Sequence, residues 1–300
     1  MKIIIDTDPG VDDAIALLMA LACQDLEVLG LTTVGGNVSL ARATRNALAL
    51  LEYVQRPEVP LARGAARPRQ GRFPYSHHFH GPSGLSRRLP KPKASAMTAS
   101  AVGFLAEQLQ QHPGQITLVA LGPLTNVAQL FRQNSMALDE LQSLLVMGGA
   151  VQVPGNVTPH AEFNFYSDPV AAHEVVSSGV PLTLVDLGAS RQVFITREEA
   201  EKLNSENPLG RLAVQLLVNW FARDPERRRF EFYDPLTLAA AVRPGLVETR
   251  RVTLRVEVED ENRVGESRVI REGGPHLVVE KVDDRGFFRL FRGILELDGF

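Results

Sequence analysis

The chain has 300 residues, 44% hydrophobic and 22% charged, with a formal net charge of -3. That length suits one large α/β domain or two ordinary ones, with a core that needs no disulfide staple. The near balance of charge argues against nucleic acid or an anionic membrane as the main partner.

The opening apolar run, Ile3 to Ile5, is too short for a secretory signal, and no stretch reaches membrane-spanning length. The single cysteine, Cys23, sits in an apolar run and reads as a small core residue. A soluble protein of the reducing cytoplasm is expected.

In chain order, Ile3 to Ile5 reads as a strand and Asp12 to Ala22 as a helix. Leu26 to Thr33 reads as a strand and Leu40 to Val54 as a helix. The segment Gly64 to Lys93, rich in Pro, Gly, Arg and His, has no period and reads as a long surface loop. Thr98 to His112 reads as a helix, Ile116 to Leu121 as a strand and Thr125 to Phe131 as a helix. Leu141 to Met147 and Leu182 to Leu187 read as strands around a helix near Pro169 to Ser178. Asp224 to Glu231, with Arg227, Arg228 and Arg229, reads as a solvated face. Val252 to Glu259 alternates like a strand, and Gly286 to Leu297 reads as a closing helix. Short buried strands alternating with helices predict an α/β fold: a mostly parallel central sheet with helices on both faces. A single domain over residues 1–300 is the simplest account.

In such sheets ligands bind beyond the carboxyl ends of the strands. After the first strand comes Asp6-Thr7-Asp8-Pro9-Gly10-Val11-Asp12-Asp13, with four carboxylates in eight residues. Helix capping accounts for one or two of them. Four crowded like charges repel and raise each other's pKa, a conflict that a bound hard cation removes. Gly35-Gly36-Asn37 follows the second strand, and Gly122-Pro123-Leu124-Thr125-Asn126 follows the Ile116 strand. Met147-Gly148-Gly149 and then Asn156 to Asn164 follow the Leu141 strand. If the stretch around Glu162 and Asn164 is extended, both side chains point the same way. Tyr233-Asp234-Pro235 opens a late apolar helix, a form that Asp168-Pro169 shares and that there reads as plain capping.

Together these segments resemble the inosine-uridine preferring nucleoside hydrolase family. The opening Asp6 to Ala14 is its most specific motif. Gly122 to Asn126, Met147-Gly148-Gly149 and Ala161-Glu162-Phe163-Asn164 fall in the family's order, and His80-Gly81-Pro82-Ser83-Gly84-Leu85 looks like its His-Gly loop. The resemblance covers nearly the whole chain and implies a Rossmann-like fold of nucleoside hydrolase type. It implies Ca²⁺-dependent hydrolysis of ribonucleosides to ribose and a free base, in nucleoside catabolism and base salvage. It also implies a homodimer or homotetramer.

By the same resemblance Asp8, Asp13, Asp234 and the Leu121 carbonyl hold Ca²⁺. Asp12, Asn37, Asn156, Glu162 and Asn164 hold the ribose hydroxyls, with Met147 packed near the sugar. Asp8 is also the expected general base. Many members carry His where this chain has Tyr233, so the proton for the leaving base is expected from Tyr233 or His80, while His77 and His78 read as exposed loop residues. Two other readings stand beside this one. A haloacid-dehalogenase-like phosphohydrolase also opens on Asp-x-Asp, but Pro9 departs from its motif. A non-catalytic nucleoside- or ribose-binding protein on the same fold rests on Tyr233 alone.

Overall fold

A computed structural model of the chain describes residues 1–134 and 137–299. The first strand, β1 (Lys2–Thr7), carries Ile3, Ile4 and Ile5 without solvent exposure. A strand covered on both faces must be apolar at successive positions. Ile3 and Ile5 enter one hydrophobic core, and Ile4 enters the other.

The chain continues through α1 (Val11–Ala22), β2 (Glu27–Thr33), α2 (Leu40–Tyr53), β3 (Leu61–Arg63) and the short α3 (His77–His80). Next come α4 (Ala101–Gln111), β4 (Ile116–Ala120), α5 (Thr125–Gln133), α6 (Ala137–Glu140) and β5 (Leu141–Met147). Then follow α7 (Phe163–Ser167), α8 (Pro169–Ser177), β6 (Leu182–Val185), α9 (Leu187–Ser190), β7 (Phe194–Thr196), α10 (Arg197–Lys202) and α11 (Pro208–Ala222). The chain closes with β8 (Arg229–Glu231), α12 (Tyr233–Val242), β9 (Val247–Val256), β10 (Ser267–Glu272), β11 (His276–Val282) and α13 (Asp284–Leu295).

One sheet runs β10-β9-β11-β6-β5-β4-β1-β2-β3, and β7 pairs with β8 apart from it. Neighbours from β3 across to β11 are parallel, while β9 lies antiparallel to both β11 and β10. Helices α1, α2, α11, α12 and α13 fill the core on one face, and α4, α5 and α8 fill the other. The mostly parallel sheet with helices on both faces is therefore present. Among the described residues no helix is long and apolar enough to cross a membrane.

The strand order reverses at β1, with β2 and β3 on one side and β4, β5 and β6 on the other. Such a reversal opens a crevice beyond the carboxyl ends of the strands. In register, Asp6 faces Thr32 and Ala120, and Ala120 faces Val146. The residues just past these positions therefore stand at one level around the crevice.

Four expectations need correction. The Leu182 to Leu187 strand stops at Val185, because Asp186 caps α9 by accepting the Ala189 N–H at 3.0 Å. Gly64 to Lys93 is no plain surface loop, since Phe73, Ser76, His80, Leu85 and Leu89 are buried. The Asp224 to Glu231 stretch is only partly solvated: Arg228 is 79% exposed, but Arg227 is 12% exposed and lies over the Trp220 ring. The stretch at Glu162 and Asn164 is not extended, because α7 starts at Phe163 with Glu162 as its cap. Asp168, by contrast, caps α8 as expected, and Cys23 is buried.

Phe232, immediately before the Tyr233-Asp234 pair, has no solvent exposure. Its ring centroid lies 5.4 Å from that of Phe230, 5.3 Å from Phe287 and 5.1 Å from Phe291. This cluster anchors the start of α12. Phe232→Ala is expected to destabilise the protein by about 3–5 kcal/mol, read as a lower urea midpoint. An unchanged midpoint would refute the anchoring role.

Candidate active site

The crevice at the strand reversal is a cavity of about 570 Å³. Asp12, Asn37, His80, Leu121, Met147, Asn156, Glu162, Asn164, Tyr233 and Asp234 all line it. Asp8 and Asp13 are fully buried beside it. A larger depression of about 740 Å³ lies between the end of α1 and α13, and among the described residues no carboxylate cluster lines it.

The acidic floor follows from the turn between β1 and α1. Asp12 and Asp13 occupy the first turn of α1, where carboxylates complement the helix dipole. Asp13 accepts four hydrogen bonds, from the Thr7 hydroxyl at 2.5 Å, the Gly10 N–H at 2.9 Å, the Asn37 amide at 3.1 Å and the Asp8 N–H at 3.2 Å. Asp8 Oδ2 accepts the Asn37 N–H at 2.5 Å. Asp8 Oδ1 and Asp12 Oδ1 are buried without a hydrogen-bond partner. Two glycines clear the space for Asp8: a Cβ on Gly36 would fall 2.0 Å from its Oδ2, and one on Gly122 would fall 2.7 Å from its Oδ1.

Burial and mutual repulsion push these acids up. Asp12 rises to about 8, through burial first and the Asp13 charge second. Asp8 and Asp234 are held well above the usual carboxylate range by burial and by the neighbouring aspartates. Asp6, one position back, rises to about 7 through burial. It accepts from the Thr32 hydroxyl and the Asn126 amide, at 2.5 and 2.7 Å.

One oxygen each of Asp12, Asp13 and Asp234 lies within 4.8 Å of the others, and all three residues are buried. Together with the orphaned oxygens, this all-oxygen set fits a hard divalent cation. The grouping brings in Asp12 where the family pattern names Asp8. The Leu121 carbonyl accepts the Asn164 amide at 2.7 Å, which leaves one of its two acceptor sites.

On the opposite wall, Glu162 accepts N–H groups from Asn164, Gly149 and Phe165 at 2.8, 3.0 and 3.1 Å. Burial nevertheless lifts it to about 7. Met147 Sδ lies 3.4 Å from the Asn164 amide nitrogen. Asn156 is exposed on the rim, and its Oδ1 accepts the Phe163 N–H at 2.9 Å.

The two candidate proton donors are both constrained. His80 Nδ1 accepts the Val11 N–H at 3.0 Å, so the imidazole is neutral with its proton on Nε2. Burial, ahead of nearby positive charge, lowers its pKa to about 3. The contact with Asp12 Oδ1 at 3.6 Å is therefore not an ion pair. The Tyr233 hydroxyl donates to Glu231 Oε2 at 2.6 Å, and burial and the Glu231 charge raise its pKa.

Several residues here escaped the sequence reading. Tyr75, Ser76, His78 and Phe79 line the cavity from the aperiodic segment, and the Ser76 hydroxyl donates to Asn37 Oδ1 at 2.6 Å. No spacing marked them. Asn126 carried a signal, since it sits in a turn after a strand, and its amide holds Asp6 beneath the site.

With this geometry in hand, the relatives are informative. A family model described as inosine-uridine preferring nucleoside hydrolase matches residues 3–289. Uridine nucleosidase 1 of Arabidopsis thaliana is 39% identical over 86% of this chain and 79% of its own length. A pyrimidine-specific ribonucleoside hydrolase of Shewanella baltica is 37% identical over 90% of this chain and 86% of its own. Among solved structures, a plant nucleoside hydrolase aligns with a TM-score of 0.92 at 32% identity, covering 98% of both chains. An inosine-guanosine nucleoside hydrolase aligns with a TM-score of 0.91 at 27% identity, covering 99% of both. These matches span the acidic floor and both walls of the cavity, and they set aside the phosphohydrolase reading. The chain belongs to the inosine-uridine preferring nucleoside hydrolase family and is, by that membership, an N-ribosyl hydrolase.

Proposed function

We propose that this protein is one nucleoside hydrolase domain that hydrolyses the N-glycosidic bond of ribonucleosides with Ca²⁺ as cofactor. The observation that carries the reading is the buried floor of Asp12, Asp13 and Asp234 oxygens under a cavity lined by Asn37, Glu162 and Asn164. The relatives named for uridine and for pyrimidine ribonucleosides support uridine as a substrate. A cytoplasmic homodimer or homotetramer serving nucleoside catabolism and base salvage completes the proposal, on the family resemblance.

Asp8, Asp13, Asp234 and the Leu121 carbonyl, with Asp12 beside them, would hold the cation. Bound there, it would supply a fixed positive charge that orients and acidifies water. Asp12, Asn37, Asn156, Glu162 and Asn164 bind the ribose hydroxyls, and Met147 packs against the sugar. Asp8 acts as general base: its unpartnered Oδ1 takes the proton as water oxygen bonds to the anomeric carbon. The bond to the base nitrogen breaks, and its electron pair leaves with the base. The carboxylates around the ring favour the oxocarbenium character of the transition state. Neutral His80 donates from Nε2 to the departing base, and Tyr233 lines the same side.

Ribose release from uridine, inosine, cytidine and adenosine, with and without chelator, tests the reading. Chelator-sensitive release is expected, with uridine and inosine ahead of adenosine. Deoxyuridine should be slower by up to about 10⁴-fold, because buried partners of the missing hydroxyl go unpaired. Binding without turnover would instead favour a nucleoside sensor on this fold.

Asp8→Ala is expected to lose at least the 10²- to 10⁴-fold that general bases usually contribute, with the far-ultraviolet circular dichroism spectrum retained. Near-normal turnover would remove Asp8 from that role.

The raised acids also predict how stability depends on pH. Their folded pKa values, about 8 for Asp12 and about 7 for Asp6, stand above the ordinary 3.8. Between those limits the folded state binds more protons than the unfolded one, so metal-free stability falls as pH rises. Chelated protein should melt at a higher temperature near pH 5.5 than near pH 8, and Ca²⁺ should narrow or reverse that difference. A chelated protein most stable at pH 8 would contradict the assignment.

A further inference from the structure

The reading above leaves two arginines unused. Arg227 Nη2 donates to the His78 and Phe79 carbonyls at 3.0 and 3.1 Å, and its Nη1 donates to the Trp220 carbonyl at 2.7 Å. Its guanidinium carbon lies 4.0 Å from the centroid of the Trp220 ring. Arg223 Nη1 donates to the His80 carbonyl at 3.2 Å. Three successive carbonyls of α3 are thus held by two guanidinium groups from the end of α11 and the turn beyond it. The turn is itself tied down, because Arg197 Nη2 donates to the Asp224 and Arg227 carbonyls at 2.9 and 3.3 Å.

The backbone is shaped around this contact. Gly81 has φ +90, and a Cβ there would lie 1.4 Å from Arg223 Nη1. The glycine after His80 is therefore needed both for its conformation and for the space the guanidinium fills. The side chains of α3 face the cavity: His78, Phe79 and His80 all line it. The Phe79 ring also packs edge-on against Trp220, with centroids 5.1 Å apart.

We propose that Arg223 and Arg227 are positioning residues for the base-facing wall of the site. They act through α3, holding Phe79 and the His80 imidazole where the base of a nucleoside docks. The proposal rests on the nucleoside hydrolase reading and extends it to substrate binding. Four residues of α3 cannot hold a helix alone, since an isolated turn is marginal in water. A planar guanidinium meets two carbonyls at once, whereas an ammonium is a compact donor on a flexible stem. Arg227→Lys should therefore rescue only part of what Arg227→Met removes.

The test compares wild type, Arg227→Lys and Arg227→Met. KM and kcat for uridine and inosine are measured together with amide hydrogen exchange over residues 76–81. Trp220 is the only tryptophan in the chain, so its emission reports the same contact. For Arg227→Met, KM is expected to rise about tenfold as Phe79 is released, a loss of ground-state binding, with any fall in kcat following from displacement of the His80 donor. Faster exchange over 76–81 and altered Trp220 emission should accompany it, and Arg227→Lys should fall between. A KM within twofold of wild type despite faster exchange would overturn the proposal, as would unchanged exchange in both variants. A wild type that binds nucleosides without hydrolysing them counts against the reading of function alone. The arginines are then judged on Kd for uridine, read from Trp220 emission.

Discussion

Four buried carboxylates sit at the point where the strand order reverses, and the protein supplies no lysine or arginine to pair with them among the described residues. Asp8 and Asp13 have no solvent exposure, while Asp12 and Asp234 line the cavity. Such an arrangement is unfavourable by itself, because desolvation and like-charge repulsion act in the same direction. The fold offsets it only partly. Asp13 is surrounded by four donors, but Asp8 and Asp12 each keep an oxygen that nothing in the chain satisfies. The shortfall is what a bound metal cation would relieve, and much nearby structure serves to hold these oxygen atoms in place.

That structure reaches the site from distant parts of the chain. The turn just past β1 contributes Asp8, the first turn of α1 contributes Asp12 and Asp13, and α12 contributes Asp234. α12 packs on α1 and against β4, β5 and β6, so the helix carrying the last acid rests on the helix carrying the two before it. The aromatic cluster around Phe232 fixes the entry into α12. On the other side of Asp8, Gly36 and Gly122 let the ends of β2 and β4 close in to a distance that any side chain would prevent. Core packing and site geometry are the same contacts in this region.

Asp8, Asp12 and Asp13 were legible in the sequence because, with Asp6, they make four carboxylates in eight residues, more than capping explains. Asp234, at a helix start that capping alone explains, was reached only through the family resemblance. The parallel sheet was legible because buried strands leave unbroken apolar runs such as Ile3 to Ile5. Around His80 and Tyr233, which the resemblance singled out, the rest of the wall facing the base was not. Tyr75, Ser76 and Phe79 lie in a segment held by contacts made elsewhere, among them the guanidinium groups of Arg223 and Arg227. A run of three arginines carries no mark of which one turns inward, and only Arg227 stacks on Trp220. α11 also went unread, although its buried Leu212, Ala213, Leu216, Leu217, Trp220 and Phe221 recur at helical spacing.

The two sides of the cavity differ in what they do with protons. The floor is rich in acceptors, while the base side offers neutral donors: an imidazole whose Nδ1 is occupied by Val11, and a phenol whose proton is directed at Glu231. The Glu231 carboxylate is in turn paired with Arg229 at 2.7 Å. Neither group is a strong acid at neutral pH, so on the proposed function departure of the base would rely on hydrogen bonds to charge as it develops rather than on prior protonation. Uracil and hypoxanthine can spread that charge onto carbonyl oxygens, where a neutral N–H or O–H stabilises it well. Adenine has no such oxygen and leaves readily only when a ring nitrogen takes a full proton. On that proposal, Tyr233 in place of the histidine of many family members would move the burden of selectivity from an acid to the shape and donors of the wall, the part of the site that α3 and its two arginines hold.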